Sequence, residues 1–573
     1  MEESHSVSIA IVGSGGAGAL TAGNFLLEAA SQAGWQGLLT RTVGPQIRGG
    51  EAAALVRLAT HPVECLPDRF ELLIGIDWLN AHRFGAEIEV GPHSLVISDP
   101  RGGDLPPDVA AAGARVVEIP MKEMAKAIPD GRANMIALGI AARLLGLGAD
   151  VLAALIENRL AEKGPAAVAA SRTGISAGFD AAAGLDFGLR LAAPKAKSAR
   201  RWLVSGNDAA ALGAIRGGVR FAAAYPITPA TEILEWLAPN LAKMGGTLLQ
   251  AEDELAAINM IIGASFGGTP ALTATSGPGL SLMMEALGLA TAAEIPVVVI
   301  DVMRGGPSTG IPTKSEQADL NIAVYGFHGD APHLVLAPQS VGDCLFTTQW
   351  ATYLAEALQA PAIVLSDQFI GQARAAIDRP ADVAFIGQRL KATDIAGAYQ
   401  RYAHAANGVS PMAIPGTRGG QYTADGLTHT PRGIPTSGVA DHGTQLDKRR
   451  DKLDRFAYGD HWATIEGTGD LAVITWGSLT GTVREAIERA GRDGMEASLL
   501  APRLLAPPQP ERFAAALAGK KRILVVEQSH GAQFHRYLRA HYDLPSAVRV
   551  LNRPGPLPIR AGEVHRAIMQ WST

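Results

Sequence analysis

Cysteine is nearly absent from this chain: only Cys65 and Cys344 occur among its 573 residues. Two thiols cannot form the disulfide framework of a secreted protein. An ordinary iron–sulfur cluster needs four thiolates, so two are also too few for that. If the chemistry requires such a cluster, we expect it on another chain.

Charge is also scarce. Charged residues make up 18% of the chain, and the formal net charge is −5, which gives no reason to expect a nucleic acid or an anionic membrane as ligand. The acidic start at residues 1–5 does not resemble a signal peptide. The uncharged run 255–284 is interrupted by glycines and prolines, which suits a buried core better than a membrane helix. We therefore expect a cytoplasmic protein.

Apolar strands alternate with helical patterns, which predicts a multidomain α/β fold with mostly parallel sheets. The length and a hydrophobic content of 47% predict three or four domains with ample core. The predicted divisions are an N-terminal domain at 1–192, a linker at 193–203, a second domain at 204–380, a connector at 381–466 and a C-terminal domain at 467–573. The charged run 447–452 of the connector is predicted to be a solvated helix face.

A proline-bracketed turn follows a short strand near the start of the second domain. Its residues are Tyr225, Pro226, Ile227 and Thr228. Such a turn presents a hydroxyl and main-chain groups at the carboxyl end of a strand, where ligands of open α/β sheets bind. Thr228 is therefore expected to contact a ligand.

Glu254 begins an apolar helix, and Ser276 and Gly277 follow the next strand. A carboxylate in such poorly hydrated surroundings suits proton exchange with a ring nitrogen, whereas a first-turn Glu can also simply stabilise the helix dipole. Together with the turn, these residues favour a pocket for an aminopyrimidine ring over a nucleotide phosphate site.

The N-terminus carries a glycine pattern. A strand at 7–12 leads through Gly13, Gly15 and Gly18 into a predicted helix at 19–33, which matches the dinucleotide-binding fingerprint. The second strand ends in Arg41, without the acidic residue that a ribose 2′-hydroxyl requires. A flavin or nicotinamide oxidoreductase therefore remains a weaker alternative.

Residues 225–320, including the segment 303–314, resemble the pyrimidine-binding domain of the 2-oxoacid:ferredoxin oxidoreductases. Residues 44–51 resemble the gamma domain of that family, and the region after 469 is similar to the C-terminal domain of transketolase-like enzymes. The resemblance implies a fused gamma–alpha large subunit. Its fold would be a thiamin-diphosphate pyrimidine-binding fold with an N-terminal Rossmann-like gamma domain and a transketolase C-terminal-like domain, in which Glu527 and Gln528 are expected mainly at subunit contacts.

The resemblance also implies the reaction: CoA-dependent oxidative decarboxylation of a 2-oxoacid to an acyl-CoA and carbon dioxide, with two electrons passed to ferredoxin. Run in reverse, this reaction fixes carbon dioxide. The family places the diphosphate site, Mg²⁺ and a [4Fe–4S] cluster on a smaller beta subunit, so we expect no metal site here. A dimer of heterodimers is expected from symmetry. Two further classes of function, a non-redox thiamin enzyme and a purely structural subunit, also stay open.

Within this family resemblance, Glu254 would bind the pyrimidine, while Thr228 and Tyr225 would shape its pocket. The glycine loop would supply main-chain donors, and coenzyme A is the associated ligand. Arg48 would bind a phosphate or carboxylate, or else tie loop carbonyls together.

The segment 304–314 supplies two cations. A dicarboxylate needs two cationic anchors, so the substrate is expected to be 2-oxoglutarate. Arg304 would bind the C1 carboxylate or the developing oxyanion, and Lys314 with Thr313 and Ser308 would bind the distal carboxylate. Lys314 could equally be a solvated loop residue or a coenzyme A phosphate contact. A pyruvate-type or broad-specificity enzyme is therefore the alternative substrate class.

Overall fold

The computed structural model describes residues 2–44, 50–194 and 201–571. The strands in these ranges, numbered in chain order, are β1 Glu2–Ser4, β2 Ser6–Gly13, β3 Gln36–Val43, β4 Ala52–Ala59, β5 Leu72–Gly75, β6 Leu95–Ser98, β7 Arg115–Glu118, β8 Leu189–Leu191, β9 Arg201–Ser205, β10 Phe221–Ala224, β11 Thr247–Gln250, β12 Ala271–Thr275, β13 Val298–Met303, β14 Leu334–Leu336, β15 Ala362–Asp367, β16 Arg374–Asp378, β17 Ala463–Glu466, β18 Leu471–Ile474, β19 Ala497–Pro502, β20 Leu504–Ala506, β21 Arg522–Glu527 and β22 Ala547–Asn552.

The α-helices are α1 Ala19–Ala33, α2 Pro107–Ala111, α3 Met121–Lys126, α4 Ala133–Leu145, α5 Ala149–Leu160, α6 Pro165–Ala181, α7 Gly206–Gly217, α8 Thr231–Leu241, α9 Glu254–Phe266, α10 Gly277–Ala292, α11 Leu320–Tyr325, α12 Asp343–Leu358, α13 Gln368–Gln372, α14 Val439–Asp454, α15 Leu479–Arg492, α16 Pro510–Ala516, α17 Gln533–His541 and α18 Ala561–Met569. Short 3₁₀ helices lie at Ala81–Glu87, Ala161–Lys163, Ala242–Met244 and Gly459–Trp462. In the described part of the chain, none of the helices is both long and apolar enough to cross a bilayer.

The chain forms two compact units. The first contains Met1–Ser205, Gln372–Ala381 and Arg560–Glu563, and the second contains Gly206–Gly371, Asp382–Ile559 and Val564–Thr573. The predicted boundaries differ from this division at two places. β9 begins inside the predicted linker, and β16, expected in the second domain, pairs antiparallel with β9 and β3 in the first unit. Pairing between strands so far apart in the chain leaves no local pattern in the sequence.

The first unit is built on an eight-stranded sheet with the order β7-β6-β5-β2-β4-β3-β16-β9. The predicted first strand and the predicted helix are confirmed as β2 and α1, whose apolar residues lie in one core with those of α4. However, β4 runs antiparallel between β2 and β3. In a dinucleotide-binding βαβ unit the two strands joined by the first helix are neighbours, so this unit departs from the pattern behind the flavin or nicotinamide alternative.

The second unit contains a seven-stranded sheet with the order β11-β10-β12-β13-β15-β14-β20. All of its pairings are parallel except that of β20 with β14, which confirms the predicted mostly parallel sheet. Its central strands β12, β13 and β15 are buried along their whole length, as expected where helices cover both faces. The carboxyl ends of the parallel strands meet at one edge of the sheet.

A five-stranded sheet with the order β17-β19-β18-β21-β22 completes the second unit. Two strand pairings cross the predicted boundaries of the domain at 467–573. β17 lies in the predicted connector yet pairs with β19, and β20 leaves this region to cover the edge of the seven-stranded sheet. An exposed sheet edge leaves backbone groups unpaired, and β20 satisfies those of β14.

Glu527 and Gln528 are not at the surface, so the expectation that they make subunit contacts is wrong. The carboxylate of Glu527 accepts hydrogen bonds from the amides of Phe534 and His535, both at 2.9 Å, and so caps the start of α17. The backbone amide of Gln528 donates to the side-chain oxygen of Gln317 at 2.9 Å. Glu527 therefore stabilises the start of α17, and Gln528 joins the end of β21 to the segment before α11.

The predicted connector lacks helices and strands from 382 to 438 and then forms α14. The prediction of a solvated charged face on α14 is wrong for Lys448 and Lys452, which are buried. Both ammonium groups bind the carboxylate of buried Glu294, with Lys452 Nζ 2.8 Å from Glu294 Oε2. The sequence of α14 shows the charges but not the partner, which lies about 150 residues earlier in the chain.

Candidate active site at the edge of the parallel sheet

The proline-bracketed turn lies at the carboxyl end of β10, where the sequence predicts it. The side chain of Asn207 donates to the carbonyl of Pro229 at 2.9 Å. Nη1 of Arg304 donates to the carbonyl of Thr228 at 2.6 Å. Thr228 is half-buried, and Tyr225 is 40% exposed. The turn is therefore held from two sides, while the Tyr225 side chain faces open space.

Glu254 is the first residue of α9, which is capped by the side chain of Asp253 accepting from the amide of Ala256 at 2.7 Å. Its side chain is 7% exposed. Within the described ranges, no residue donates a hydrogen bond to the Glu254 carboxylate. A buried carboxylate without a donor is costly unless a ligand or water completes it.

Gly279 leaves the space that Glu254 occupies. A Cβ atom at position 279 would lie 2.6 Å from Cγ of Glu254 and 2.1 Å from Oγ1 of Thr275. Any larger residue would displace one of these two side chains. Gly279 therefore serves a close approach between α9, β12 and α10.

Ser276 and Gly277 form the start of α10, immediately after β12. Ser276 is buried, and its hydroxyl has no hydrogen-bond partner within the described part of the chain; the same holds for the hydroxyl of Thr273. Buried polar groups without a partner are the kind that a bound polar ligand completes.

Sequence reasoning missed two carboxyl groups at this edge. Asp301 is fully buried near the end of β13, and Asp319 lies at the start of α11. Their carboxyl groups are within hydrogen-bonding reach of each other, and the charge of Arg304 acts on both. A signal was present, because Asp301 is the one charge in the apolar run 295–303, where an unpaired charge is rarely buried.

Burial and the neighbouring Asp319 raise the pKa of Asp301 well above its usual range. Burial also raises the pKa of Asp319, to about 6, with Glu316 adding to the effect and Arg304 opposing it. Burial lowers the pKa of the Arg304 guanidinium, and the two carboxyl groups counter that shift. Two carboxyl groups in such contact do not ionise independently.

The loop from Arg304 to Lys314 is closed by its own backbone. The amide of Gly305 donates to the carbonyl of Lys314 at 3.0 Å, and the amide of Ile311 donates to the carbonyl of Gly305 at 2.8 Å. These bonds bring the backbones of the two cationic residues side by side. Of the other predicted substrate ligands, Thr313 is buried at the base of the loop and Ser308 is exposed at its tip.

The glycine loop belongs to the first unit. Gly13 ends β2, and the carbonyl of Gly18 accepts a hydrogen bond from the side chain of Asn134 at 3.1 Å. Gly15 is exposed between them. Gly18 thus has a packing role of its own, whereas Arg48 lies outside the described residues.

Neither cysteine is part of a disulfide, and both thiols are buried. Within the ranges that the structure covers, no group of three or more His, Cys, Asp or Glu side chains could hold a metal ion.

Two family profiles match the chain. One, described as "Pyruvate ferredoxin/flavodoxin oxidoreductase", covers residues 8–181. The other, described as "Pyruvate flavodoxin/ferredoxin oxidoreductase, thiamine diP-bdg", covers residues 212–448. The second range contains the whole cluster around Glu254 and Arg304.

Curated relatives agree with these profiles. The 2-oxoglutarate synthase subunit KorA of Methanothermobacter marburgensis is 37% identical over 375 residues, which are 64% of this chain and 96% of that protein. The alpha subunit of 2-oxoacid:ferredoxin oxidoreductase 2 of Aeropyrum pernix is 32% identical over 485 residues, covering 77% of this chain and 74% of that protein.

A solved structure matches nearly the whole chain. It is the 2-oxoglutarate:ferredoxin oxidoreductase of Magnetococcus marinus with 2-oxoglutarate, coenzyme A and succinyl-CoA bound, with a TM-score of 0.92, 35% identity and 99% coverage of both chains. The sheet edge and the matched profile define a thiamin-diphosphate-binding oxidoreductase subunit. The chain belongs to the 2-oxoacid:ferredoxin oxidoreductase family.

Proposed function

We propose that this chain is the large subunit of an enzyme that converts 2-oxoglutarate and coenzyme A to succinyl-CoA and carbon dioxide, passing two electrons to ferredoxin. The observation that carries the proposal is the Glu254 carboxylate, which is buried at the edge of a parallel sheet and has no protein donor in the described ranges. Such a group needs a ligand that can donate a proton to it.

The residues at the sheet edge fit the pyrimidine end of thiamin diphosphate. Glu254 would bond the ring nitrogen, while Thr228 and Tyr225, with Pro226 and Ile227, would line the ring. Ser276, whose buried hydroxyl has no partner in the described part of the chain, and Gly277 would contact the cofactor from the start of α10. When bound, the cofactor supplies the carbanion chemistry, and the protein holds the proton at Glu254 and orients the reactants.

The substrate proposal rests on the loop 304–314. Arg304 would bind the C1 carboxylate, because its guanidinium lies against the turn at Thr228. Lys314, Thr313 and Ser308 would bind the distal carboxylate. Curated relatives are named 2-oxoglutarate synthase subunits, and the matched structure contains 2-oxoglutarate, which supports a dicarboxylate over pyruvate.

The remaining parts of the site are proposed on a partner. Two buried cysteines cannot ligate a [4Fe–4S] cluster, so the cluster, Mg²⁺ and the diphosphate ligands would lie on a beta subunit, in a dimer of heterodimers. Coenzyme A would bind the gamma region through Gly13, Gly15, Gly18 and Arg48. The domain boundaries at residues 192, 203, 380 and 466 stay predictions, as does the cytoplasmic location.

The substrate assignment is tested with the full chain co-purified with its beta subunit. We expect a higher kcat/KM for 2-oxoglutarate than for pyruvate or 2-oxobutyrate, with viologen dye as electron acceptor. In Lys314→Met, 2-oxoglutarate should lose roughly 2–5 kcal/mol of transition-state binding, because its distal charge is left unpaired. The two monocarboxylates should lose little.

Lys243→Met is the matched control, because Lys243 is an exposed lysine in a short 3₁₀ helix of the same unit. It should leave all three substrates unchanged. Equal losses for the three substrates in Lys314→Met would reject the anchor role of Lys314, and a wild-type preference for pyruvate would reject the substrate.

A further inference from the structure

Arg449 is a buried cation of α14 that has no partner within the described ranges. Its side chain is 7% exposed, its Nε has no hydrogen-bond partner, and no described residue forms an ion pair with its guanidinium. By contrast, Arg389, another buried arginine of the same unit, binds both carboxylate oxygens of Glu356 at 2.7 Å. Arginine is rarely buried unless it is paired, so Arg449 lacks the anion that normally accompanies such a residue.

Glu294 does not supply that anion. Its charge acts on Arg449, but its two carboxylate oxygens already bind the ammonium groups of Lys448 and Lys452. Arg401 acts on the same carboxylate. All four cations are buried. They share the single carboxylate of Glu294, which leaves positive charge that an anion from outside the chain would balance.

A cavity of about 170 Å³ is lined by Arg449, the second half of α10 and the segments 328–331 and 426–428. Pockets for drug-sized ligands measure roughly 300–1,000 Å³, so this cavity suits a smaller molecule. Leu289 of its wall lies about 18 Å along α10 from Gly277, at a rise of about 1.5 Å per residue. The cavity is therefore separate from the candidate active site.

The other titratable side chains of the cavity are Glu285, His328 and Asp330, and all three are exposed. Their exposure places them where the cavity meets solvent. Arg449 attracts an anion, whereas the two carboxylates at the opening oppose a dianion such as phosphate. A ligand with one carboxylate and one ammonium group meets a charge of opposite sign at each end.

We propose that this cavity binds a small amino acid, whose carboxylate pairs with Arg449 and whose ammonium group faces Glu285 and Asp330. A guanidinium can bind a carboxylate through two parallel hydrogen bonds, which gives the buried cation its anion. The inference is independent of the function proposed above, because none of these residues belongs to the candidate active site.

Calorimetric titration of the full chain with three probes tests the ligand class. Glycine, the common core of the α-amino acids, should bind with a dissociation constant in the millimolar range, as expected for so few atoms. Acetate has the carboxylate without the ammonium group and should bind at least about threefold more weakly. Inorganic phosphate should also bind more weakly than glycine. A failure of glycine to bind, or an equal affinity for acetate or phosphate, would overturn the proposal.

Arginine variants locate the carboxylate of the probe. Arg449→Gln should weaken glycine binding by about tenfold or more, because the charge-assisted hydrogen bonds are lost. Arg450→Gln is the matched control, since Arg450 is the next residue but is exposed and pairs with Asp447 and Asp451. It should leave glycine binding unchanged. Equal effects of the two substitutions would contradict the role of Arg449.

A double variant locates the ammonium group. Glu285→Gln combined with Asp330→Asn should bind glycine no better than the wild type binds acetate, because only the contact with the ammonium group is removed. Its affinity for acetate should equal or exceed that of the wild type. A loss of the same size for glycine and acetate would reject this placement of the ammonium group.

Urea unfolding of the full chain without added probe separates a ligand site from a structural role. Arg449→Gln should unfold at the same or a higher urea concentration than the wild type, because it removes a buried cation that has no partner in the described ranges. Arg389→Gln breaks the buried pair with Glu356 and should unfold at a clearly lower concentration. A decrease in Arg449→Gln as large as that in Arg389→Gln would show a structural role and overturn the proposal.

Discussion

Helix α10 has a buried cluster of charged residues near each end, and the two clusters differ in how well they are paired. At the C-terminal end, the carboxylate of Glu294 binds the ammonium groups of Lys448 and Lys452, and its carbonyl accepts from Nη2 of Arg401 at 2.9 Å. At the N-terminal end, Glu254 has no donor in the described ranges, and Arg304 keeps Nε unpaired.

The difference separates a structural cluster from a site for ligands. The helix dipole favours an anion at the start of α10 but not at its end, so Glu294 depends on the cations that surround it. In the C-terminal cluster, the lysines hold the pKa of Glu294 far below its usual range despite complete burial, so the charge is fully compensated. In the N-terminal cluster, burial without compensation leaves groups that a ligand must complete.

The strongest test of this contrast removes the donor-free carboxylate. Glu254→Gln should lower kcat by roughly 10²- to 10⁴-fold, because the proton exchange with the ring nitrogen is lost. Glu254→Ala should be at least as poor, and the thermal unfolding midpoint should change little in both variants. Steady-state kinetics of the complex measure the first effect, and calorimetry measures the second.

Glu252→Gln is the control, because Glu252 is exposed two residues earlier and should keep full activity. If Glu254→Gln retained more than about a tenth of wild-type kcat, against the loss expected above, the N-terminal cluster would not be the catalytic one.

The second test breaks the compensated cluster. Glu294→Gln should destabilise the second unit by about 3–5 kcal/mol, because it leaves Lys448 and Lys452 buried without an anion. Urea unfolding of the full chain measures this loss. The kcat of the molecules that remain folded should be close to that of the wild type, which is the reverse of the pattern at Glu254.

Asp451→Asn serves as the comparison, because Asp451 pairs with Arg450 and Arg455 on the exposed face of the same helix. It should shift the unfolding midpoint very little, since exposed ion pairs are screened by solvent. An equal shift of the unfolding midpoint in both variants would show that the buried Glu294 cluster contributes no more to stability than the exposed ion pairs.

The smallest expected effect concerns Gly279, whose lack of a side chain leaves room for Glu254. Gly279→Ala should lower kcat about tenfold, because its Cβ would displace the Glu254 or Thr275 side chain and misplace the carboxylate. Stability should change by about 1 kcal/mol or less, as helix propensity offsets the clash.

Gly263→Ala is the matched control in α9, where an added Cβ meets no atom within 4 Å. It should raise stability by about 0.5–1 kcal/mol and leave kcat unchanged. If Gly279→Ala behaved like Gly263→Ala, the close approach to Glu254 would have no catalytic consequence.

Much of the fold and part of the site could be predicted from the sequence. Helix α1 has the predicted bounds 19–33, Glu254 begins a helix, and the turn at Thr228 follows a strand. These features depend on local rules, namely apolar periodicity, capping residues and prolines that restrict the backbone. The pairing of β16 and β20 with strands outside their own predicted domains could not be predicted, because pairing between distant strands leaves no local pattern.

By itself, the sequence determined which residue types stand at the ends of which strands and helices, because short-range backbone preferences decide that order. Only the tertiary structure decided which charged side chains are buried and which side chains they contact. Lys452 pairs with Glu294, and Asp319 lies beside Asp301. No local periodicity in the sequence predicts either contact. A buried charge with a partner stabilises the fold, whereas a buried charge without one is available to a ligand. The partner comes into contact only when the sheets and helices pack together.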